Sequence, residues 1–213
     1  MRGYLPKRKR GEHMKKAYRY GIELECFIPQ DNYARVESKI QVLTLPYEFG
    51  SDGSLSISES NYEPTEIKAT HGLSYTKLER TVKKLSKVLT EYDVLVNKTC
   101  GFHVHVSNKR FMNKKTIVRL SHTWAAIEDV LMSTQPRSRY NNSYCRRFLL
   151  QYVKDDKTKL PRGKEDLVHQ LSENFVGHDS RYYTLNFQAL KKHGTIEIRL
   201  HSGTVDGNKI IAW

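Results

Sequence analysis

Residues 194–201, Gly-Thr-Ile-Glu-Ile-Arg-Leu-His, alternate polar and apolar side chains over a full strand length. Side chains two apart share a face of a strand. Thr195, Glu197 and Arg199 therefore point one way, and Ile196, Ile198 and Leu200 the other. The same alternation recurs in three other segments. Glu23 and Glu25 share a face in Tyr20-Gly-Ile-Glu-Leu-Glu, Glu66 and Lys68 in Glu-Ile-Lys, and His103 and His105 in Gly101-Phe-His-Val-His-Val. Four such segments predict a sheet whose apolar faces build the core. Its other faces gather carboxylates, imidazoles and a guanidinium at one place.

The rest of the chain supplies what such a sheet packs against. Strands are predicted over 17–28 and 62–69, with a turn at Ser51-Asp-Gly-Ser54 and a short helix over Ala34–Leu43. Ser74–Asp93 places Leu78, Val82, Leu85, Leu89 and Tyr92 at helical spacing. Asn113 is a candidate N-cap for a second helix, with Ile117, Leu120, Trp124, Ile127 and Leu131 as its buried stripe. Between the two helices, Val94–Val96 and Gly101–Ser107 read as a hairpin or a kinked strand. A short helix is expected at Glu165–Leu171. Two last strands are expected at Tyr182–Leu190 and Thr195–His201, turned at Lys191-Lys-His-Gly194. This order predicts an α+β domain with a largely antiparallel sheet. Residues 1–16, which contain Lys7-Arg-Lys-Arg10, read as a basic arm before a domain over 17–213; Met14 opens a second run just before the first strand.

A formal charge of +13 over 213 residues points to an anionic partner: nucleotide phosphates, an acidic substrate or nucleic acid. No apolar run is long enough for a membrane-spanning helix, and the basic start lacks the apolar segment of a secretory signal. Cys26, Cys100 and Cys145 are scattered without zinc-ligand spacing. The expected compartment is the reducing cytoplasm, with no membrane partner.

Carboxylates on facing strands repel and are costly to bury as anions, so without metal the pKa values of Glu23, Glu25 and Glu66 are expected to move upward. A divalent cation removes the conflict. Carboxylate oxygens with one or two imidazoles suit Mg²⁺ or Mn²⁺ better than zinc. A nearby arginine suits a phosphate clamp. Glu23, Glu25, Glu66, His103, Glu197 and Arg199 together point to metal-assisted phosphoryl transfer. No Walker-type or Gly-x-Gly-x-x-Gly loop is present, so any nucleotide is held by another scaffold.

In order along the chain, Tyr20-Gly-Ile-Glu-Leu-Glu25, Ser51-Asp-Gly-Ser54, Glu66-Ile-Lys-Ala, Cys100-Gly-Phe-His-Val-His-Val106, Ser138-Arg-Tyr-Asn-Asn-Ser-Tyr-Cys145, Leu185-Asn-Phe-Gln-Ala-Leu190 and His193-Gly-Thr-Ile-Glu-Ile-Arg-Leu-His-Ser-Gly-Thr204 resemble the amidoligases. These form a branch of the glutamine synthetase and glutamate–cysteine ligase superfamily of carboxylate–amine ligases. The resemblance implies a curved antiparallel sheet with helices packed on one face and an open face for ATP and two or three divalent metals. It implies that ATP phosphorylates a carboxylate and that an amine then displaces phosphate to form an amide. By matched position, Glu25 and Glu66 resemble ligands of a metal beside the acceptor carboxylate. Glu23, His103 and Glu197 resemble ligands of a metal bridging the ATP phosphates. Arg199 resembles the clamp on the transferred phosphoryl group, and His105, Arg139 and Arg146 fall on the nucleotide or substrate side. Glu-Ile-Lys-Ala-Thr departs from the family's usual Glu-Ile-Val-Ser-Pro and puts Lys68 in a normally apolar place. The chain stops at Ile210-Ile-Ala-Trp213, where the family's helix continues, so it reads as unusually short or as a fragment. Two alternatives stand beside the ligase: a metal-dependent nuclease or phosphohydrolase, and a nucleic-acid-binding module. The last is not favoured, because acidic residues occupy the face where phosphates would lie.

Overall fold

A computed structural model describes residues 18–43, 47–148 and 181–213. The basic arm over 1–16 and the helix expected at Glu165–Leu171 lie outside the described residues. The elements are β1 (Arg19–Pro29), α1 (Tyr33–Gln41), β2 (Tyr47–Ser51), β3 (Tyr62–Ala69), α2 (Tyr75–Glu91), β4 (Gly101–Ser107), α3 (Lys114–Ser133), β5 (Leu185–Asn186), α4 (Gln188–His193), β6 (Ile196–Ser202) and α5 (Gly207–Ala212). The strands form one open antiparallel sheet in the order β2-β3-β1-β4-β6-β5. The protein is α+β, as its alternation predicts.

Alternation in β1 sets the layers. Ile22, Leu24, Cys26 and Ile28 are completely buried on one face, against Val36 and Ile40 of α1 and Val82, Leu85 and Leu89 of α2. A second core packs Ile117, Trp124 and Met132 of α3 on Leu185, Ile196 and Leu200. Helices thus cover the apolar side. A smaller cluster of Phe27, Leu55 and Cys100 closes one end of the polar side.

Two local expectations change, and one open choice is decided. Only Leu185 and Asn186 of the expected strand 182–190 pair with β6, and the residues after them turn into α4. Asn186 explains the switch, because its Oδ1 accepts from the Gln188 amide at 2.8 Å and its side chain thereby opens the helix. Gly194, at φ 67°, ends the helix in the left-handed conformation that a side chain would strain. Leu95 pairs with Phe27 of β1 beyond the end of β4, so of the two readings of 94–107 the kinked strand fits and the hairpin does not. In α3 the buried line runs through Ile117, Ser121, Trp124, Glu128 and Met132, and Ile127 is 41% exposed. The helix is rotated because Glu128 goes inward. No helix among the described residues is long and apolar enough to cross a membrane.

Glu128 is fully buried and its Oε1 accepts from the Phe148 amide at 2.8 Å, Trp124 Nε1 at 3.3 Å and the Thr184 hydroxyl. It therefore ties α3 to Phe148 and to Thr184, the residue that leads into β5. Glu128→Ala removes one buried acceptor shared by three donors, of which Trp124 Nε1 keeps the Thr184 hydroxyl at 3.1 Å. It is expected to cost ~2–4 kcal/mol of unfolding free energy in urea titration. A loss below ~1 kcal/mol would show that the carboxylate is not the tie.

Candidate functional site

Antiparallel register converts four separate motifs into one row. Glu25 lies opposite Glu66, and Glu23 opposite both Lys68 on β3 and His103 on β4. His105 lies opposite Glu197, and Glu197 opposite Asn186. A bulge in β6 between Ile198 and His201 gives Arg199 and Leu200 a single partner position, that of His103. It keeps Arg199 on the polar face while His201 moves to pack edge-on against Phe102 at 5.8 Å. The result is a cleft of about 1080 Å³ that the polar row lines from end to end.

His103 is almost fully buried and stands at the centre. Its Nδ1 lies 3.3 Å from Glu23 and 3.5 Å from Glu197, and its Nε2 3.4 Å from Glu25. His105 Nε2 lies 3.0 Å from Glu23. Close as that is, this buried nitrogen makes no aligned hydrogen bond, and neither does Arg199 Nε. Arg199 Nη1 donates to Glu197 at 2.5 Å, and Lys68 Nζ reaches Glu66 at 2.5 Å.

These contacts split the carboxylates. Burial pushes Glu66 up, the charge of Glu23 adds to it, and Lys68 only partly opposes, leaving Glu66 at about 7. Burial alone would also raise Glu23, but His103 and His105 close beside it hold it well below the usual carboxylate range. Glu197 is likewise pulled down against the effect of its burial, by Arg199 and then by the two histidines. The expectation of a common upward shift holds for Glu66 and fails for Glu23. The two histidines, which share its face, reverse the effect of burial.

Three groups bring one ligand atom from each residue within 4.8 Å of one another: Glu23, Glu66 and His103; Glu23, His105 and Glu197; and Glu25, Asp52 and Glu66. Oxygen-rich sets with an imidazole suit Mg²⁺ or Mn²⁺. The unaligned His105 nitrogen offers a donor on the same face. Asp52 escapes a reading of the sequence by strand alternation because it sits in the turn after β2. There it accepts from the Ser54 amide at 2.8 Å and lines the cleft. The Ser-Asp-Gly-Ser turn was its only signal. Asn186, also unforeseen, donates Nδ2 to Glu197 at 2.6 Å.

The structure brings Glu23, Glu25, Glu66, His103, His105, Glu197 and Arg199 together in the cleft. Arg139 reaches the cleft wall, but its buried guanidinium donates to the carbonyls of Arg199 at 2.6 Å and Leu200 at 3.4 Å. It braces β6. Arg146 does not line the cleft; its guanidinium lies 4.6 Å over the Tyr183 ring.

Gly101 permits the crowding at the centre. Its amide donates to Glu25 at 2.5 Å, and a Cβ there would sit 2.8 Å from His103 Nε2 and 3.1 Å from Glu25 Oε2. Gly101→Ala is expected to destabilise by ~1–3 kcal/mol in urea and to displace His103. An unchanged midpoint would show that the centre is loose.

A raised folded-state pKa gives Glu66 a contribution to stability that is complete below the ordinary carboxylate range and lost as pH rises through about 7. Relative to Glu66→Gln, the metal-free wild type should lose melting temperature between about pH 5 and 8. Parallel pH profiles for the two proteins would contradict the burial effect.

A family model described as a putative amidoligase enzyme matches residues 47–213. The match carries Asp52, Glu66, His103, Glu197 and Arg199 and begins after β1, the strand of Glu23 and Glu25. A comparison with curated proteins finds no match. On the family match, which covers well over half of its length, this chain belongs to the amidoligase family.

Proposed function

We propose that the protein is an ATP- and Mg²⁺-dependent carboxylate–amine ligase. The observation that carries this is the meeting of Glu25, Glu66, Glu23, His103, Glu197 and Arg199 on one sheet face, in a chain of the amidoligase family. Bound Mg²⁺ or Mn²⁺ would neutralise phosphate charge and polarise the transferred group. Glu23, His103 and Glu197, which meet at His103 Nδ1, would hold one ion, with His105 grouped beside Glu23 and Glu197. Glu25 and Glu66 would hold another, with Asp52 in the same group.

In the first step a carboxylate oxygen of the acid substrate bonds the γ-phosphorus, and the bond to ADP breaks. In the second, the amine nitrogen bonds the acyl carbon, the bond to phosphate breaks and the amine gives up a proton. Arg199 would meet the phosphoryl group as its charge redistributes. Its Nη1 is engaged by Glu197 and its Nε makes no aligned hydrogen bond, so one edge of the guanidinium is anchored by protein. Glu25 and Glu66, on the β1–β3 side, would orient the acceptor carboxylate. The acid and the amine would be small molecules or peptides.

Two measurements test the reading. Millimolar Mg²⁺ with a non-hydrolysable ATP analogue should raise the melting temperature above the effect of either alone. With hydroxylamine as the amine and a panel of carboxylic acids, ATP should be converted to ADP and phosphate with a hydroxamate as co-product. Degradation of nucleic acid without ATP, and no nucleotide-dependent stabilisation, would favour the phosphohydrolase instead.

Arg199→Lys keeps the charge and loses the bidentate fork. Turnover is expected to fall ~10²-fold or more with ATP affinity little changed. A destabilised variant with normal turnover per folded molecule would make Arg199 a structural ion pair.

A further inference from the structure

The Tyr-Asn-Asn-Ser-Tyr stretch of residues 140–144 takes no part in the metal and phosphoryl chemistry, yet it delivers an aromatic ring into the cleft. Tyr144 lines the cleft and is 46% exposed. The Tyr182 ring stands against it at 5.3 Å and 82°, and the Arg181 guanidinium lies 4.6 Å over the Tyr182 ring. Two rings nearly at right angles, with a guanidinium plane beside them, offer a flat ligand a face and an edge at once.

This corner is registered to the reacting row. The Arg146 amide donates to the Tyr182 carbonyl at 2.7 Å, the Thr184 amide to the Arg146 carbonyl at 2.9 Å, and the Arg199 amide to the Thr184 carbonyl at 2.8 Å. The Tyr144 amide is fixed separately by Asn142 Oδ1 at 2.9 Å. The corner therefore sits on the β5–β6 side, beyond Glu197 and Arg199. Asp52, Glu66 and Lys68 mark the opposite, β2–β3 side. Lys192 of α4 also lines the cleft and brings positive charge to the β5–β6 side.

We infer that the Tyr144–Tyr182–Arg181 corner is the nucleobase subsite of the cleft, holding the base by stacking. The inference rests on the ATP-dependent function proposed above. It gives the cleft a direction: base at the β5–β6 edge, phosphates over the central row, acceptor at the β2–β3 edge. It also sets selectivity. The Tyr182 hydroxyl accepts from Arg181, and stacking uses ring faces, which every base has. ATP and GTP should bind within about tenfold of each other.

Calorimetry on the full chain in Mg²⁺ separates the possibilities, with a non-hydrolysable ATP analogue and inorganic tripolyphosphate as probes. Tyr144→Ala is expected to weaken the nucleotide analogue ~10- to 100-fold, to change tripolyphosphate affinity less than about twofold and to leave the melting temperature in place. Tyr144→Phe should restore nucleotide affinity. Equal weakening of both probes, or of neither, overturns the subsite. If the wild type binds neither probe, the ATP-dependent function itself falls. If it binds the analogue and Tyr144→Ala does so equally well, only the placement of the base falls.

Discussion

Everything at the polar face depends on how five carboxylates are kept together in one partly buried place. Glu23, Glu25, Asp52, Glu66 and Glu197 line the same cleft, and among the described residues Arg199 touches Glu197 and Lys68 touches Glu66. Two imidazoles make up part of the difference. His103 contacts three of the carboxylates, and His105 contacts Glu23 while its Nδ1 pairs with Thr195 at 2.8 Å. Arg139, Arg181, Lys191 and Lys192 add positive charge elsewhere along the cleft wall. Facing like charges are destabilising across a ladder, and Glu25 faces Glu66. That local repulsion is what the proposed divalent ions would relieve.

The fold supplies the rigidity that holds this row together. Three of the site's side chains are also held by groups with no charge to contribute. The Gly101 amide fixes Glu25, Asn186 fixes Glu197, and Thr195 fixes His105. Arg139 spends its own charge on two backbone carbonyls of β6, next to the bulge that aims Arg199. Asn186 serves twice, opening α4 through its oxygen and holding Glu197 through its nitrogen. Helix start and site geometry are thereby one construction. Positioning of this kind is what keeps a reacting geometry from drifting when a cation leaves.

The strands were legible because alternation is a local property: period two assigns Glu23, Glu25, Glu66, His103, His105, Glu197 and Arg199 to faces without knowledge of the partner strand. Register then does the rest, since the apolar faces admit only pairings that keep the core dry. What escaped the sequence was set by groups far apart in the chain. Glu128 looks like a surface residue of α3 until Phe148, Thr184 and Trp124 surround it, and its burial rotates the helix so that Ile127 faces out. Arg139 and Arg146 lie in one arginine-rich stretch without periodicity, and only tertiary contacts decide that one braces β6 and the other covers Tyr183. Asn186 was hidden inside a segment whose composition suits a strand. Its own side chain ends that strand after two residues.

Lys68 shows how one substitution in a row of charges changes its neighbours. It stands where the resemblance implies an apolar residue, and it reaches Glu66 from the same strand, two residues away. Its side chain is 40% exposed, whereas that of Arg199 is 13% exposed. The two cations therefore behave differently. Arg199 is largely buried and held by Glu197 at 2.5 Å, with His103 Nδ1 3.4 Å from the same nitrogen. Lys68 has a hydrated, flexible stem and yields its carboxylate at little cost when a stronger cation arrives. The row is thus asymmetric in its counter-charge. A fixed guanidinium stands at the β6 end, and an exchangeable ammonium covers Glu66 at the β3 end, where the carboxylate pKa is already high. That asymmetry follows from strand position and exposure alone, and it gives the two ends of one continuous cleft different chemistry.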